Sequence, residues 1–132
     1  MNIPFGFIGG NYEAKNKIYD LIDQENSQIN EIDNKSSIED VKLFRKKMLQ
    51  TSLKKQVGIT YGLNDFKKAQ QSVLLKLFEE IPVRSKIFFT ASSSLPFVLQ
   101  TRVNFEYLNF QHETIIEKVK NKIIDLMKRK EY

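Results

Sequence analysis

Few side chains in this sequence belong to the kinds that carry out catalysis. The 132 residues include no cysteine and one histidine, His112, so thiol nucleophiles, disulfide bonds and cysteine-bound zinc are excluded. His112 falls at the start of a predicted helix, on its apolar side, where a histidine more often packs or caps than acts as a base. The acidic residues show no metal-ligand spacing. We therefore predict no catalytic residue, no metal site and no cofactor, and a protein that is not an enzyme.

Two segments rich in small residues have the composition of catalytic loops without their spacing. The stretch GFIGG at Gly6–Gly10 lacks the GxxxxGK[ST] spacing of a phosphate-binding loop. The stretch SSSLP at residues 92–96 has no glycines flanking a serine, as a nucleophile elbow requires. Neither segment is predicted to bind phosphate or to act as a nucleophile.

Basic residues outnumber acidic ones by 21 to 16, giving a net charge of +5, which suits a phosphate-bearing partner. Arginine, which reads base edges, is much rarer than lysine. The alternative function predicted from this charge is a sequence-tolerant nucleic-acid-binding protein that uses two helices. Its predicted contact residues are Lys42, Arg45, Lys46, Lys47, Lys54, Lys55, Lys118, Lys122 and Arg129. A winged-helix protein is disfavoured, because the predicted wing loop, Ala91–Pro96, carries no basic residue.

Tyrosines could stack on unpaired bases if they lay beside basic residues. The four considered are Tyr12, Tyr19, Tyr61 and Tyr107. They are far apart in sequence, and the sequence by itself predicts no stacking surface from them.

Apolar periodicity predicts three helices in the first two-thirds of the chain. The first covers residues 11–33, the second 38–57 and the third 66–81. Ser36 or Ser37 is expected to cap the second helix. The stretch GITYGLND that follows the second helix is predicted to be a loop.

The last third of the chain predicts two strands and a helix. Lys86–Thr90 is a short apolar strand, and Phe97–Phe110 alternates apolar and polar residues as a long, half-buried strand does. The long strand exceeds its hairpin partner, so its surplus must pair elsewhere; the apolar segment Ile3–Ile8 or a partner chain could cover it. A final helix is predicted at about residues 113–130.

The predicted order is therefore (β)αααββα. This is an α+β fold in which four helices pack on a small antiparallel sheet of two strands, with a third strand available from the N-terminus. Residues 1–132 are assigned to a single domain. Within it, residues 1–10 form an apolar N-terminal segment, 11–82 a helical part and 83–132 a β-hairpin with a C-terminal helix.

The function predicted from this fold is a non-enzymatic protein–protein interaction or assembly protein. Its partner is another protein chain or a second copy in a homo-oligomer, bound through a sheet edge and the apolar N-terminus. The predicted partner-binding residues are Ile3, Phe5, Phe7, Arg102, Asn104 and Glu106. The Lys-, Asn- and Ile-rich composition suggests an AT-rich coding sequence, as in phage or mobile elements. No apolar run reaches the ~18 residues of a membrane span, so no membrane partner and an intracellular (cytoplasmic) or virion-associated location are predicted.

Overall fold

The computed structural model describes residues 2–50 and 53–108 of the chain. Strands and helices alternate along it, which is the pattern of an α/β protein. The strands are β1 (Phe5–Ile8), β2 (Ser27–Asp33), β3 (Lys55–Tyr61), β4 (Lys86–Ala91) and β5 (Asn104–Tyr107). The helices are α1 (Asn11–Asp20), α2 (Ile38–Leu49), α3 (Lys68–Glu79) and α4 (Phe97–Gln100), with a 3₁₀ turn at Leu63–Asp65.

The five strands form one sheet in the order β2-β3-β4-β1-β5, and every pair in it is parallel. Parallel neighbours cannot be joined by a tight hairpin, so helical crossovers connect them. The helix α1 joins β1 to β2, α2 joins β2 to β3, and α3 joins β3 to β4. Strand β1 lies inside the sheet, between β4 and β5.

The helices cover both faces of the sheet. On one face, Ala14 and Ile18 of α1 pack with apolar residues of the strands in a core cluster that includes Phe88. On the other face, α2, α3 and α4 form a larger cluster around Phe89, which is fully buried. Successive residues of β4 therefore pack into the core clusters on opposite faces of the sheet, as expected of a strand covered on both sides.

Two glycines in the strands let neighbouring side chains lie directly on the backbone. A Cβ placed on Gly6 would lie 2.4 Å from the ring of Phe89. A Cβ on Gly58 would lie 2.5 Å from Cζ of Phe44, which belongs to α2. The absence of a side chain at Gly58 lets α2 approach the sheet closely, and its absence at Gly6 leaves room for the ring of Phe89 from the neighbouring strand β4.

The start of α2 follows the sequence prediction. Ser37 Oγ accepts a hydrogen bond from the backbone N–H of Asp40 at 3.1 Å, and the N–H of Ser37 donates to Asp40 Oδ2 at 3.1 Å. This reciprocal pair is a capping box. The prediction of a cap at Ser36 or Ser37 is confirmed, with Ser37 as the capping residue.

The predicted α+β fold with a small antiparallel sheet was wrong, because the sheet has five strands and all of them are parallel. Strands covered on both faces lack clean alternation, so their short apolar runs resemble helix segments. Residues 27–33 were assigned to the first helix because Ile29 and Ile32 have helical spacing, yet they form β2. The second predicted helix ends at Leu49, and much of the predicted GITYGLND loop belongs to β3.

The predicted long strand at Phe97–Phe110 was also wrong. Its first part is the short helix α4, which begins after Pro96, and within residues 97–108 a strand forms at Asn104–Tyr107. This part of the chain therefore holds no surplus strand that needs covering. The N-terminal segment does pair with this region: β1 lies parallel to β5, with Phe5 opposite Asn104.

Some predictions fall outside the described residues. These are the final helix at 113–130, His112, and the basic residues Lys118, Lys122 and Arg129. The assignment of residues 1–132 to a single domain stays a prediction. Among the described residues, no helix is long and apolar enough to cross a membrane.

Candidate functional site at the carboxyl end of the sheet

Parallel α/β sheets bind ligands outside the carboxyl ends of their strands, where connections leave in opposite directions. In this sheet the chain leaves β1 toward the β2 edge and leaves β4 toward the β5 edge, and β1 and β4 are neighbours. The backbone N–H of Gly9, just after β1, donates to the carbonyl oxygen of Ala91 at the end of β4, at 2.8 Å. A ligand site is therefore expected at the junction of β1 with α1.

That junction keeps part of a phosphate-binding pattern. Compared with GxxxxGK[ST], residues 9–16 read GGNYEAKN, so Gly9 and Lys15 match, while Ala14 and Asn16 replace the second glycine and the hydroxyl residue. The segment Gly6–Gly10 alone does not show this match, which becomes visible only when the pattern is compared with residues 9–16.

The geometry departs further from a phosphate loop. Helix α1 already begins at Asn11, so only Gly9 and Gly10 separate it from β1. Ala14 is fully buried against the sheet. A phosphate loop cradles its ligand with the backbone N–H groups of an extended, glycine-rich turn, and a helix occupies those positions here.

The end of β3 also differs from a magnesium–nucleotide site. Phosphoryl-transfer enzymes that have a phosphate loop hold Mg²⁺ with a Ser or Thr of that loop and with a separate Asp. Here β3 ends in Tyr61, followed by Gly62. Within residues 2–50 and 53–108, no group of three acidic or histidine side chains is placed to hold a metal ion. The described residues do not fit a Mg²⁺–ATP site.

A cluster of aromatic and charged side chains stands beside this junction instead. The ammonium nitrogen of Lys15 lies 5.5 Å from the centre of the Tyr61 ring and 5.9 Å from that of Tyr19. The hydroxyl of Tyr19 donates a hydrogen bond to Glu31 Oε1. These contacts bring together α1, β2 and β3, and thus residues that are up to 46 positions apart.

The surroundings of Tyr61 in this cluster change the pKa of its hydroxyl group. Burial raises the pKa of the Tyr61 hydroxyl well above its usual range, and the nearby negative charge of Glu31 raises it further. Both effects disfavour the phenolate. The neutral phenol is therefore favoured at Tyr61, whose ring faces the ammonium group of Lys15.

An open cavity of about 600 Å³ adjoins the cluster. This volume lies within the range of small-molecule sites. Tyr12 at its rim is 76% exposed. The lining residues are Tyr12, Lys15, Glu31, Ile32, Asp33, Ser36 and Tyr61. We call this space the tyrosine cavity.

The ends of β3 and β4 are joined by a polar network. The side-chain amide of Asn64 donates to Ser92 Oγ at 3.2 Å and to Ser93 Oγ at 3.0 Å, and its oxygen accepts from the backbone N–H of Ser92 at 3.1 Å. Because these polar groups satisfy one another's hydrogen bonds, the network holds the loop that begins at Ser92 in place. It supplies no group activated for nucleophilic attack.

The predicted partner-binding residues do not form one surface. Phe5 and Phe7 lie on β1, an interior strand, and Phe7 is buried. Ile3 is exposed ahead of that strand. Arg102 Nε is 3.1 Å from Glu79 Oε1 in an ion pair with the end of α3. The remaining two, Asn104 and Glu106, are exposed on the edge strand β5.

The predicted nucleic-acid-binding residues are also divided. Lys42, Lys46 and Lys47 are exposed on α2, whereas Arg45 pairs at 3.1 Å with Glu80, the residue that follows α3. Lys54 and Lys55 lie at the start of β3, which is the amino end of the sheet. Of the predicted basic residues that the structure describes, these three lysines share one helix and are exposed on it.

Comparisons with solved structures identify proteins that share this fold. A DNA polymerase III gamma subunit-related protein from Thermotoga maritima has a TM-score of 0.65 over 83% of this chain, at 16% identity. A RuvB mutant from the same organism has a TM-score of 0.61 over 82%, at 14% identity. Drosophila ORC bound to AT-rich DNA and Cdc6 gives 0.52 over 81%, at 11% identity. No protein-family model matches the chain, and no curated protein matches its sequence.

At these identities the likeness establishes the fold alone. It is the α/β fold of P-loop ATPases, and the neighbours are AAA+ ATPase-type proteins. The chain spans 41%, 38% and 47% of the length of the three neighbouring chains, in the same order. The neighbours are DNA-associated proteins that form oligomers, which is consistent with protein or nucleic-acid partners here.

These comparisons overturn the predicted non-enzymatic interaction protein. The neighbours with this fold are enzymes, so the fold does not support the prediction that the protein is not an enzyme. The interaction function had also depended on a long strand at Phe97–Phe110, and the first part of that segment is the helix α4. The framing as a small viral protein is likewise not supported, because the neighbours are AAA+ ATPase-type proteins.

Proposed function

We propose that this chain is an AAA+-type domain that works within a DNA-associated protein assembly. The observation that carries the proposal is the overlap of more than four-fifths of the chain with three such proteins, at TM-scores from 0.52 to 0.65. The strand order β2-β3-β4-β1-β5, with a helix directly after β1, supplies the framework of that overlap. This function would place the protein inside the cell.

Its nucleotide position is altered from that of a typical P-loop enzyme. Lys15 remains at the β1–α1 junction, but Asn16 and Tyr61 stand where the groups that hold Mg²⁺ are expected. We therefore propose that ATP-dependent steps of the assembly involve neighbouring chains as well as this one. The domain contributes its surfaces to the DNA and to those neighbours.

Nucleic acid is the partner that the exposed charge favours. Lys42, Lys46 and Lys47 project from α2 without an ion pair among the described residues. Contacts of lysine with phosphate are not sequence-specific and weaken as salt displaces them. The proposed contact is therefore sequence-tolerant and electrostatic.

Fluorescence anisotropy with a labelled DNA duplex and a labelled single strand tests the proposal. We expect binding whose logarithmic affinity falls linearly with the logarithm of salt concentration, measured between about 50 and 200 mM. Binding that is absent at the low salt concentration, for both forms of DNA, would overturn the proposed contact with DNA.

A further inference from the structure

The tyrosine cavity has a composition that neither the phosphate pattern nor the α2 lysines account for. It combines two aromatic side chains, Tyr12 and Tyr61, with two carboxylates, Glu31 and Asp33. The Tyr61 ring already has the ammonium group of Lys15 within 5.5 Å, which closes one side of the site with a cation.

Both carboxylates have one oxygen engaged within the protein. Glu31 Oε1 accepts from the Tyr19 hydroxyl. Asp33 Oδ1 accepts from the backbone N–H of Lys35 at 2.8 Å. These contacts fix the two side chains at the cavity, where their second oxygens, Oε2 and Oδ2, have the chemistry to accept from a ligand.

The net charge of the cavity lining favours some classes of ligand over others. Two carboxylates against one lysine give the lining a net charge of −1, so a polyphosphate placed inside would meet like charge at short range. A planar, uncharged group with N–H donors meets aromatic faces and acceptors instead. Nucleobases have both properties, since every base has a face that stacks and several have amino groups.

We propose that the tyrosine cavity takes an unpaired nucleobase of a single-stranded nucleic acid. The base stacks on Tyr12, its amino group donates to the carboxylates, and the strand's phosphates stay outside. This inference rests on the proposed contact with DNA. It adds that the nucleic acid is single-stranded and that one of its bases lies in the tyrosine cavity. In a duplex the amino groups are paired and the faces are stacked, so a duplex cannot present a base in this way.

The matched probes are two labelled single strands, dC12 and dT12, because cytosine has an exocyclic amino group and thymine does not. We expect dC12 to bind about fivefold more tightly than dT12. We expect Tyr12→Ala to weaken dC12 binding by about 5- to 100-fold and Tyr12→Phe to retain it. The control is Tyr107→Ala, since Tyr107 is likewise exposed, at 54%, but lies on β5 and outside the cavity lining.

The outcomes separate this inference from the proposed function. If DNA binds but dC12 and dT12 bind equally, or Tyr12→Ala binds like Tyr107→Ala, the cavity does not take a base while the DNA contact stands. If cytidine monophosphate binds as tightly as dC12, the cavity serves free nucleotides and the single-strand inference is wrong. If no form of DNA binds, the proposed contact with DNA itself has failed. Because Tyr12 is largely exposed, thermal melting should show that both of its variants fold.

Discussion

Lys15 on α1 and Tyr61 at the end of β3 are in contact, with the ammonium nitrogen 5.5 Å from the centre of the aromatic ring. Lys15 matches the lysine of the GxxxxGK[ST] pattern, and the residue that ends β3 beside it is Tyr61 rather than an acid. The charged group of the lysine therefore faces an aromatic ring. Cation–π contacts of this kind contribute about 0.5–1 kcal/mol when exposed.

Tyr61 should make the stability of the protein depend on alkaline pH. Its pKa is raised in the folded state by burial and by Glu31, whereas the unfolded chain has the ordinary value of about 10. Above that pH the unfolded state loses the proton first, so the free energy of unfolding falls as pH rises. Chemical denaturation at several pH values from about 8 to 11 should show this fall in wild type and a smaller one in Tyr61→Phe.

The matched control for this experiment is Tyr107→Phe, which also removes one phenol, but from an exposed position on β5. We expect its pH profile to follow the wild type. Equal slopes for wild type and Tyr61→Phe above pH 10 would contradict the raised pKa.

The altered β1–α1 junction makes a prediction about nucleotide affinity. Because α1 begins at Asn11 and β3 ends in Tyr61, the chain lacks both the backbone cradle and the metal-holding acid at the described site. We expect isothermal titration with ATP to give a Kd no tighter than about 1 mM, equivalent to roughly −4 kcal/mol. The value should be the same with Mg²⁺ and with a chelator; micromolar, Mg²⁺-dependent binding would show that the junction rearranges into a phosphate loop.

Local signals in the sequence predicted some elements well. The α2 cap was predicted because serine and aspartate satisfy the first backbone N–H groups within a few residues of one another. Helix α3 was predicted because its apolar residues, such as Val73 and Phe78, recur at the spacing of a helix and cover a wide arc of it. In both cases neighbours in the sequence determine the structure.

The sheet depended on information that is not local. Strand β2 pairs with β3, and its residues Ile29 and Ile32 fit a helix as well as a strand until that partner is known. The cluster around Lys15 could not be predicted for the same reason, because Tyr19 and Tyr61 come together only when α1 packs on the sheet. The partial phosphate pattern up to Asn16 was present in the sequence, and a longer window would have found it.

Gly6 should be among the least replaceable residues of the sheet. A Cβ there would lie 2.4 Å from the ring of Phe89, which is fully buried and cannot move into solvent. We expect Gly6→Ala to lower the free energy of unfolding by roughly 1–3 kcal/mol and Tm by at least about 4 °C. The comparison is Lys68→Ala at the exposed start of α3, which should leave Tm within about 2 °C. If Gly6→Ala melts like Lys68→Ala, β1 does not lie against Phe89 as described.

The α2 lysines provide the last test, because they distinguish a DNA contact from general positive charge. Replacing Lys42, Lys46 and Lys47 together with glutamine removes three charges from one exposed helix. We expect DNA affinity to fall and the slope of log affinity against log salt to become shallower by about 0.9 per lost duplex phosphate contact. The matched control replaces Lys67, Lys68 and Lys76, three exposed lysines at or within α3, with glutamine. Both triple variants have the same net charge, so equal effects on affinity and slope would mean that DNA responds to the total charge and not to α2.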